Sequence, residues 1–230
     1  MTFVNKTNKT AVRIAAPPSK AHTLRALIIA ALAEGKTTID RPLLAQDQLN
    51  VIRCLKQLGV EIDQQPEKVV LQGAAGSFEP AETDLSVGES GVGMNFLTSL
   101  CCLSTKPVKL TGTGRLLKRP VEQLVQALQQ LGCRIDYLGS RGYPPLKICG
   151  GGIGGQAARL KGSKTSQYFS SLCISAPYAV EPVTIECLDE LTEKPYLDIT
   201  LEMMERFGVT AENHTYKTIS VPNDRHYHGR

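Results

Sequence analysis

Hydroxyls, cations and amides gather at three places along the chain: Ser19 with Lys20 and Arg25, then Ser90 with Gly91, then Lys164, Thr165, Ser166 and Gln167. Lys118 and Arg119 add two cations from a loop. Each group stands at the start of an apolar stretch with helical spacing: SKAHTLRALIIAALA, ESGVGMNFLTSLCCL and TSQYFSSLCISA. A helix start carries N–H groups without intrahelical partners and a partial positive charge, and together these favour an anion. Cationic side chains beside it make charge-assisted bonds to phosphate and carboxylate, while the hydroxyls and the Gln167 amide suit the hydroxyls of a substrate. If the three helices run parallel, their starts meet at one anion-binding site. The same residues admit a plainer reading, in which the serines only cap their helices and the cations are solvated.

Other patterns carry less. Gly150 to Gly155 spells Gly-x-Gly-x-x-Gly, the pattern of a dinucleotide-binding turn. It follows a strand, but residues 156–162 are too short and interrupted for the phosphate-facing helix such a turn needs, so a flexible join between two units is predicted. His226-x-His228 would put two imidazoles on one strand face with no further ligands near them; a solvated tail is predicted. His22, in a first helix turn, could face the anion site, but an exposed position is expected. The seven cysteines (Cys54, Cys101, Cys102, Cys133, Cys149, Cys173 and Cys187) contain no Cys-x-x-Cys pair and are odd in number. They read as small buried apolar residues of a reducing compartment, the cytoplasm, with no zinc ribbon or disulfide framework. No metal and no organic cofactor is expected.

The elements that must position these groups repeat. VIRCLKQLGVEID, LVQALQQLGCRID and TLEMMERFGVTAE each run a helical apolar period into a glycine, and Gly59, Gly132 and Gly208 lie 73 and 76 residues apart. Each glycine stands where a helix C-terminus calls for a left-handed residue. Around it the same order recurs: the apolar first helix, a strand (near Lys36 to Asp40, Val108 to Thr111 and Val183 to Cys187), a proline-bearing loop and a second helix. Two strands joined by a turn then close the unit: Val60 to Ile62 with Val69 to Leu71, Arg134 to Tyr137 with Leu146 to Ile148, and Val209 to Glu212 with Thr218 to Val221. Three strand-helix-strand-helix-strand-strand units of about 75 residues fill the chain. One helix of each is nearly all apolar, which predicts an α/β lobe of pseudo-threefold symmetry with helices central and sheets outside.

Composition limits the partners. The 230 residues carry a formal charge of only +4, five per cent aromatics and no Trp, a poor endowment for stacking on or tracking nucleic acid. The longest apolar run, Ala26 to Ala33, is eight residues, against the about twenty that span a bilayer. Neither nucleic acid nor a membrane is expected as a partner.

The landmarks along the chain resemble those of the 5-enolpyruvylshikimate-3-phosphate synthases, over the N-terminal half of that family. They are Ser19-Lys20 followed by Arg25-Ala26-Leu27, Gly88-x-x-Gly91, Leu117-Lys118-Arg119-Pro120, Tyr143-Pro144-Pro145-Leu146, Ser166-Gln167-Tyr168 and Lys194-Pro195-Tyr196-Leu197-Asp198-Ile199-Thr200, in the family's order. The sister family acting on UDP-N-acetylglucosamine lacks the Ser-Lys…Arg and Lys-Pro-Tyr signatures. The resemblance implies one of two lobes of the enolpyruvyl transferase fold, a monomer in the shikimate pathway of aromatic amino acid and chorismate biosynthesis. Residues 1–16 would form a strand pairing with the absent lobe, residues 17–222 the lobe (repeats about 17–80, 83–150 and 155–222), and residues 223–230 a tail leading to the hinge.

The resemblance also implies roles. Lys20, Arg25, Thr165, Ser166, Gln167 and Tyr196 would hold shikimate 3-phosphate, and Lys20, Gly91 and Arg119 would receive phosphoenolpyruvate. The acid-base residues would lie in the missing C-terminal lobe, so no catalytic residue is expected here and this chain alone would be inactive. The chain departs from the family's pattern at Ala21, Glu89, Gln48, Asn95, Lys164 and Glu193. Glu193 stands where the family has a phosphate-contacting Ser; repulsion of the 3-phosphate is expected, with Lys164 as the partner that would relieve it. Gln48 and Asn95, which replace an acid and an arginine, read as one joint neutralisation. Two classes of function therefore stand side by side: half of an enolpyruvyl transferase, or a divergent non-catalytic lobe acting as a binding or interaction module.

Overall fold

The structure, a computed structural model, describes residues 16–230. The strand expected over residues 1–16 lies almost entirely outside the described residues. The element order is α1 (Lys20–Leu32), β1 (Lys36–Asp40), α2 (Gln46–Gln57), β2 (Glu61–Gln65), β3 (Lys68–Gln72), β4 (Asp84–Ser86), α3 (Gly91–Leu100), β5 (Val108–Thr111), α4 (Glu122–Gln130), β6 (Ile135–Tyr137), β7 (Leu146–Ile148), β8 (Ala157–Leu160), α5 (Ser166–Ser175), β9 (Val183–Cys187), α6 (Lys194–Arg206), β10 (Glu212–His214) and β11 (Thr218–Val221).

These elements form three sheets, ordered β1-β3-β2, β4-β5-β7-β6 and β10-β11-β9-β8. In the second and third, the unit's opening strand lies parallel to the next one (β4 to β5, β8 to β9), and the remaining pairs are antiparallel. Helices α1, α3 and α5 pack against one another at the centre, as expected. Their apolar character all round follows from that position: every residue of α1 from Thr23 to Leu32 is buried. Small hydroxyl residues let α3 and α5 approach closely, with Ser99 and Ser171 hydrogen-bonded at 2.6 Å and Ser171 donating to the Asn95 carbonyl at 2.6 Å.

The three marker glycines all close Schellman motifs. Gly59, Gly132 and Gly208 have φ of +93°, +82° and +101°. Their N–H groups donate to Lys56, Gln129 and Glu205, and the next residue's N–H donates back to Leu55, Leu128 and Met204. This explains one difference from expectation. The strand predicted over Val209 to Glu212 begins only at Glu212, because the Val209 N–H closes α6 and its side chain enters the core.

Two segments are held more firmly than predicted. The run Gly150 to Gly155 is no flexible join: Gly151 and Gly152 donate to the carbonyls of Ser104 and Cys102, and Gly154 and Gly155 both donate to Leu131. A Cβ on Gly150 would stand 2.2 Å from the Ser104 carbonyl oxygen, so the backbone approach itself demands glycine. The strand β8 follows at once, which removes the dinucleotide reading.

The chain's last residues are not a solvated tail either. They run along the free edge of β1, with Glu34 donating to Tyr227 (2.8 Å), Gly229 to Glu34 (2.7 Å) and Thr38 to Arg230 (2.8 Å), in parallel pairing. The first sheet thereby gains the parallel edge that β4 and β8 give the other two. Tyr227 is fully buried and donates to the Ile174 carbonyl at 3.0 Å, while the His226 ring stacks on Tyr178.

Candidate functional site

The starts of α1, α3 and α5 converge, and each is capped by its own hydroxyl. Ser19 accepts from the His22 N–H, Ser90 from Gly93 and Thr165 from Gln167. The capping reading is therefore correct for these hydroxyls, and it coexists with a site. A groove at the convergence is divided in two. The larger cleft, about 660 Å³, is lined by Ser19, Lys20, Arg25, Gln167, Glu193 and Tyr196 among others. The smaller, about 240 Å³, is lined by Gly91, Asn95, Arg119, Lys164, Thr165 and Gln167 among others. Gln167 faces both, and Asn95 Nδ2 donates to its Oε1 at 2.9 Å, which fixes the partition. All eight residues expected to bind substrate line one cleft or the other except Ser166, which is fully buried beneath them.

In the larger cleft, Arg25 is 2% exposed. Its Nε donates to Thr200 Oγ1 (2.6 Å), Nη1 to the Ala21 carbonyl (3.1 Å), and Nη2 to the Tyr196 carbonyl (2.9 Å) and Ser170 Oγ (3.4 Å). The guanidinium also sits over the Phe96 ring at 5.3 Å. Every partner is neutral, and among the described residues Arg25 forms no salt bridge. Burial pulls its pKa down from the ordinary arginine value to about 10, partly opposed by Tyr196. It remains charged at neutral pH, an aligned cation whose charge no carboxylate answers. Lys20, by contrast, is paired with Asp47 in the first turn of α2.

Glu193 accepts from Thr165 Oγ1 at 3.2 Å and from Ser166 Oγ at 3.5 Å. The expected partnership with Lys164 is absent: among the described residues Lys164 forms no salt bridge, because the carboxylate turns to the hydroxyls of α5. Nor do Gln48 and Asn95 act jointly. Gln48, fully buried, donates to the Lys20 carbonyl at 3.4 Å, whereas Asn95 holds Gln167. Glu89 faces a loop, accepting from the Arg115 N–H at 3.1 Å. His22 is exposed and hydrogen-bonds Ser19 at 2.9 Å.

In the smaller cleft the exposed Arg119 lies against the start of α3. A Cβ on Gly91 would stand 2.8 Å from Arg119 Nη1, so glycine makes room for the guanidinium there. Among the described residues, Lys164 and Arg119 are the charged ones lining it, and no carboxylate does. The smaller cleft can hold an oxyanion with two cations; the larger can orient a hydroxylated anion among Arg25, Gln167, Tyr196 and the paired Lys20.

Sequence reasoning did not pick out the groups that hold the cations. Thr200 and Ser170 orient Arg25, and Asp47 holds Lys20. The available signal was the spacing of Tyr196 and Thr200, four apart on α6, which puts the Tyr196 carbonyl and the Thr200 hydroxyl together (2.9 Å) beneath Arg25.

A sequence model of EPSP synthase (3-phosphoshikimate 1-carboxyvinyltransferase) matches residues 4–229. A 3-phosphoshikimate 1-carboxyvinyltransferase of Methanoculleus marisnigri is 41% identical over 228 residues, 99% of this chain and 54% of that protein. One from Mannheimia haemolytica is 39% identical over 217 residues, 92% and 50% respectively. An EPSP synthase structure from Acinetobacter baumannii superposes with a TM-score of 0.83 at 24% identity, covering 94% of this chain and 48% of that one. The chain thus spans about half the length of the relatives it matches.

Proposed function

The chain belongs to the EPSP synthase family, and on that premise we propose that it is the N-terminal lobe of an enolpyruvyl transferase, contributing half of the site that moves the enolpyruvyl group of phosphoenolpyruvate to shikimate 3-phosphate. The convergence of three helix starts on one divided groove carries this reading. The larger cleft takes shikimate 3-phosphate, with Arg25 as the buried cation, Gln167 on the shared wall as a hydrogen-bond partner and Tyr196 as the exposed wall, while Thr165 reaches it from the smaller cleft and Ser166 from beneath. The smaller cleft takes phosphoenolpyruvate against Gly91 and Arg119, and Lys20 reaches whichever anion displaces Asp47. Fixed cations and helix starts then stabilise charge that develops in the adduct joining the two substrates.

A second lobe supplies the proton-transfer groups. The chain works as a cytoplasmic monomer, and alone it binds weakly and turns nothing over. The seat of Glu193 favours a second reading, a divergent lobe serving as a binding or interaction module. Calorimetric titration of both substrates into this chain, followed by a phosphate-release assay with a relative's C-terminal lobe added, tests the proposal. Millimolar binding of each substrate and phosphate release only with the added lobe are expected. Binding without release, with a lobe shown to associate, supports the module; no binding of either substrate contradicts both cleft assignments.

A further inference from the structure

Glu193 occupies the N-cap position of α6, yet its side chain makes no capping bond to that helix. It holds a left-handed backbone conformation (φ +55°, ψ 36°), uncommon for a residue with a side chain, and turns away from its own helix to the start of α5. There one oxygen, Oε2, receives both the Thr165 and the Ser166 hydroxyls. The carboxylate lines the larger cleft with Lys20, Arg25, Gln167 and Tyr196. No cation partners it among the described residues. The 98% buried Arg25 of the same cleft carries an unanswered charge, with four N–H donors engaged by neutral oxygens.

We propose that Glu193 is a tethered competitor: its carboxylate occupies the position that the phosphate of the bound acceptor takes at the start of α5, and binding of that group must displace it. The inference rests on the reading that the larger cleft holds the acceptor. Its consequence is discrimination by charge. A dianionic phosphate arriving at α5 meets a fixed negative charge and hydroxyl donors already engaged, so part of its binding energy goes to moving Glu193. An acceptor of the same carbon framework without the phosphate leaves Glu193 in place. Glu193 is exposed and belongs to no packed core, so neutral replacements leave the fold intact.

Calorimetry on the 230-residue chain and its Glu193→Gln and Glu193→Ser variants, each titrated with shikimate 3-phosphate and with shikimate, tests this. Both variants are expected to bind shikimate 3-phosphate about tenfold more tightly than the parent, equivalent to ~1.4 kcal/mol. Shikimate should bind all three chains alike, within about twofold, and this arm also reports that the variants are folded. Equal tightening for both ligands, or none for the phosphorylated one, overturns the competitor role while leaving the acceptor reading standing. If neither ligand binds any of the three chains, the acceptor reading falls and the competitor role with it.

Discussion

The two clefts share a wall at Gln167 and differ in how their charges are answered. In the larger, Lys20 is tied to Asp47, the start of α5 is covered by Glu193, and Arg25 is buried among neutral oxygens. In the smaller, Arg119 and Lys164 line the space, and among the described residues no acid lines it with them. One cleft is braced from within; the other is open to an arriving anion. Side chains of one type thus do different work on either side of the partition. A buried arginine is part of the framework and its removal leaves polar partners orphaned, whereas an exposed one acts on the ligand alone.

The sharpest way to break this comparison is to delete each arginine. Arg25→Ala removes the donors that Thr200, Ser170 and the Tyr196 carbonyl share, and is expected to cost about 2–4 kcal/mol in urea unfolding. It should also abolish measurable binding in the larger cleft. Arg119→Ala should leave unfolding within about 0.5 kcal/mol of the parent, while weakening phosphoenolpyruvate about tenfold in calorimetry, the ~1.4 kcal/mol of one exposed charge-assisted contact. Equal stability losses from the two substitutions would dissolve the distinction.

A pH series sharpens it further. Burial holds Arg25 at about 10 in the folded chain, below the ordinary value of an arginine. The folded state therefore loses this proton first, and the buried charge's penalty on stability shrinks as pH rises past about 10. Over the same rise the larger cleft loses the charge of its buried arginine, so acceptor affinity should fall as pH passes about 10. Isothermal titrations from neutral pH to 10.5, with circular dichroism at each pH to check the fold, should show the decline. The smallest effect expected is that of Asp47→Asn, which frees Lys20 from a surface partner. A twofold to fivefold gain in acceptor affinity corresponds to about 0.4–1 kcal/mol, the range of an exposed ion pair.

Much of this was legible in the chain because repetition amplifies weak signals. Any one Gly59-type cap is a modest cue, but three at near-equal spacing set the unit, and the unit places three apolar helices at a shared centre. The cleft-lining residues followed, since a hydroxyl before each apolar run, with a cation beside two of the three, marks a helix start. What escaped reading depends on contacts between distant residues. Nothing local shows that Tyr227 would be buried by completing a sheet opened some 190 residues earlier, at β1. Nothing in the Glu193 neighbourhood separates a bond to Lys164 from one to Thr165 and Ser166; only the left-handed backbone settles its direction. The glycine run failed in the opposite sense, because close backbone approach and flexibility ask for the same residue.

The most direct test of the convergent groove is an amide chemical-shift titration of the isotope-labelled chain with phosphoenolpyruvate. Shifts confined to the starts of α3 and α5, at Gly91 to Gly93 and Thr165 to Gln167, together with Arg119, are the predicted result. Shifts scattered over surface lysines away from the partition, or none at these helix starts at millimolar ligand, would contradict the account.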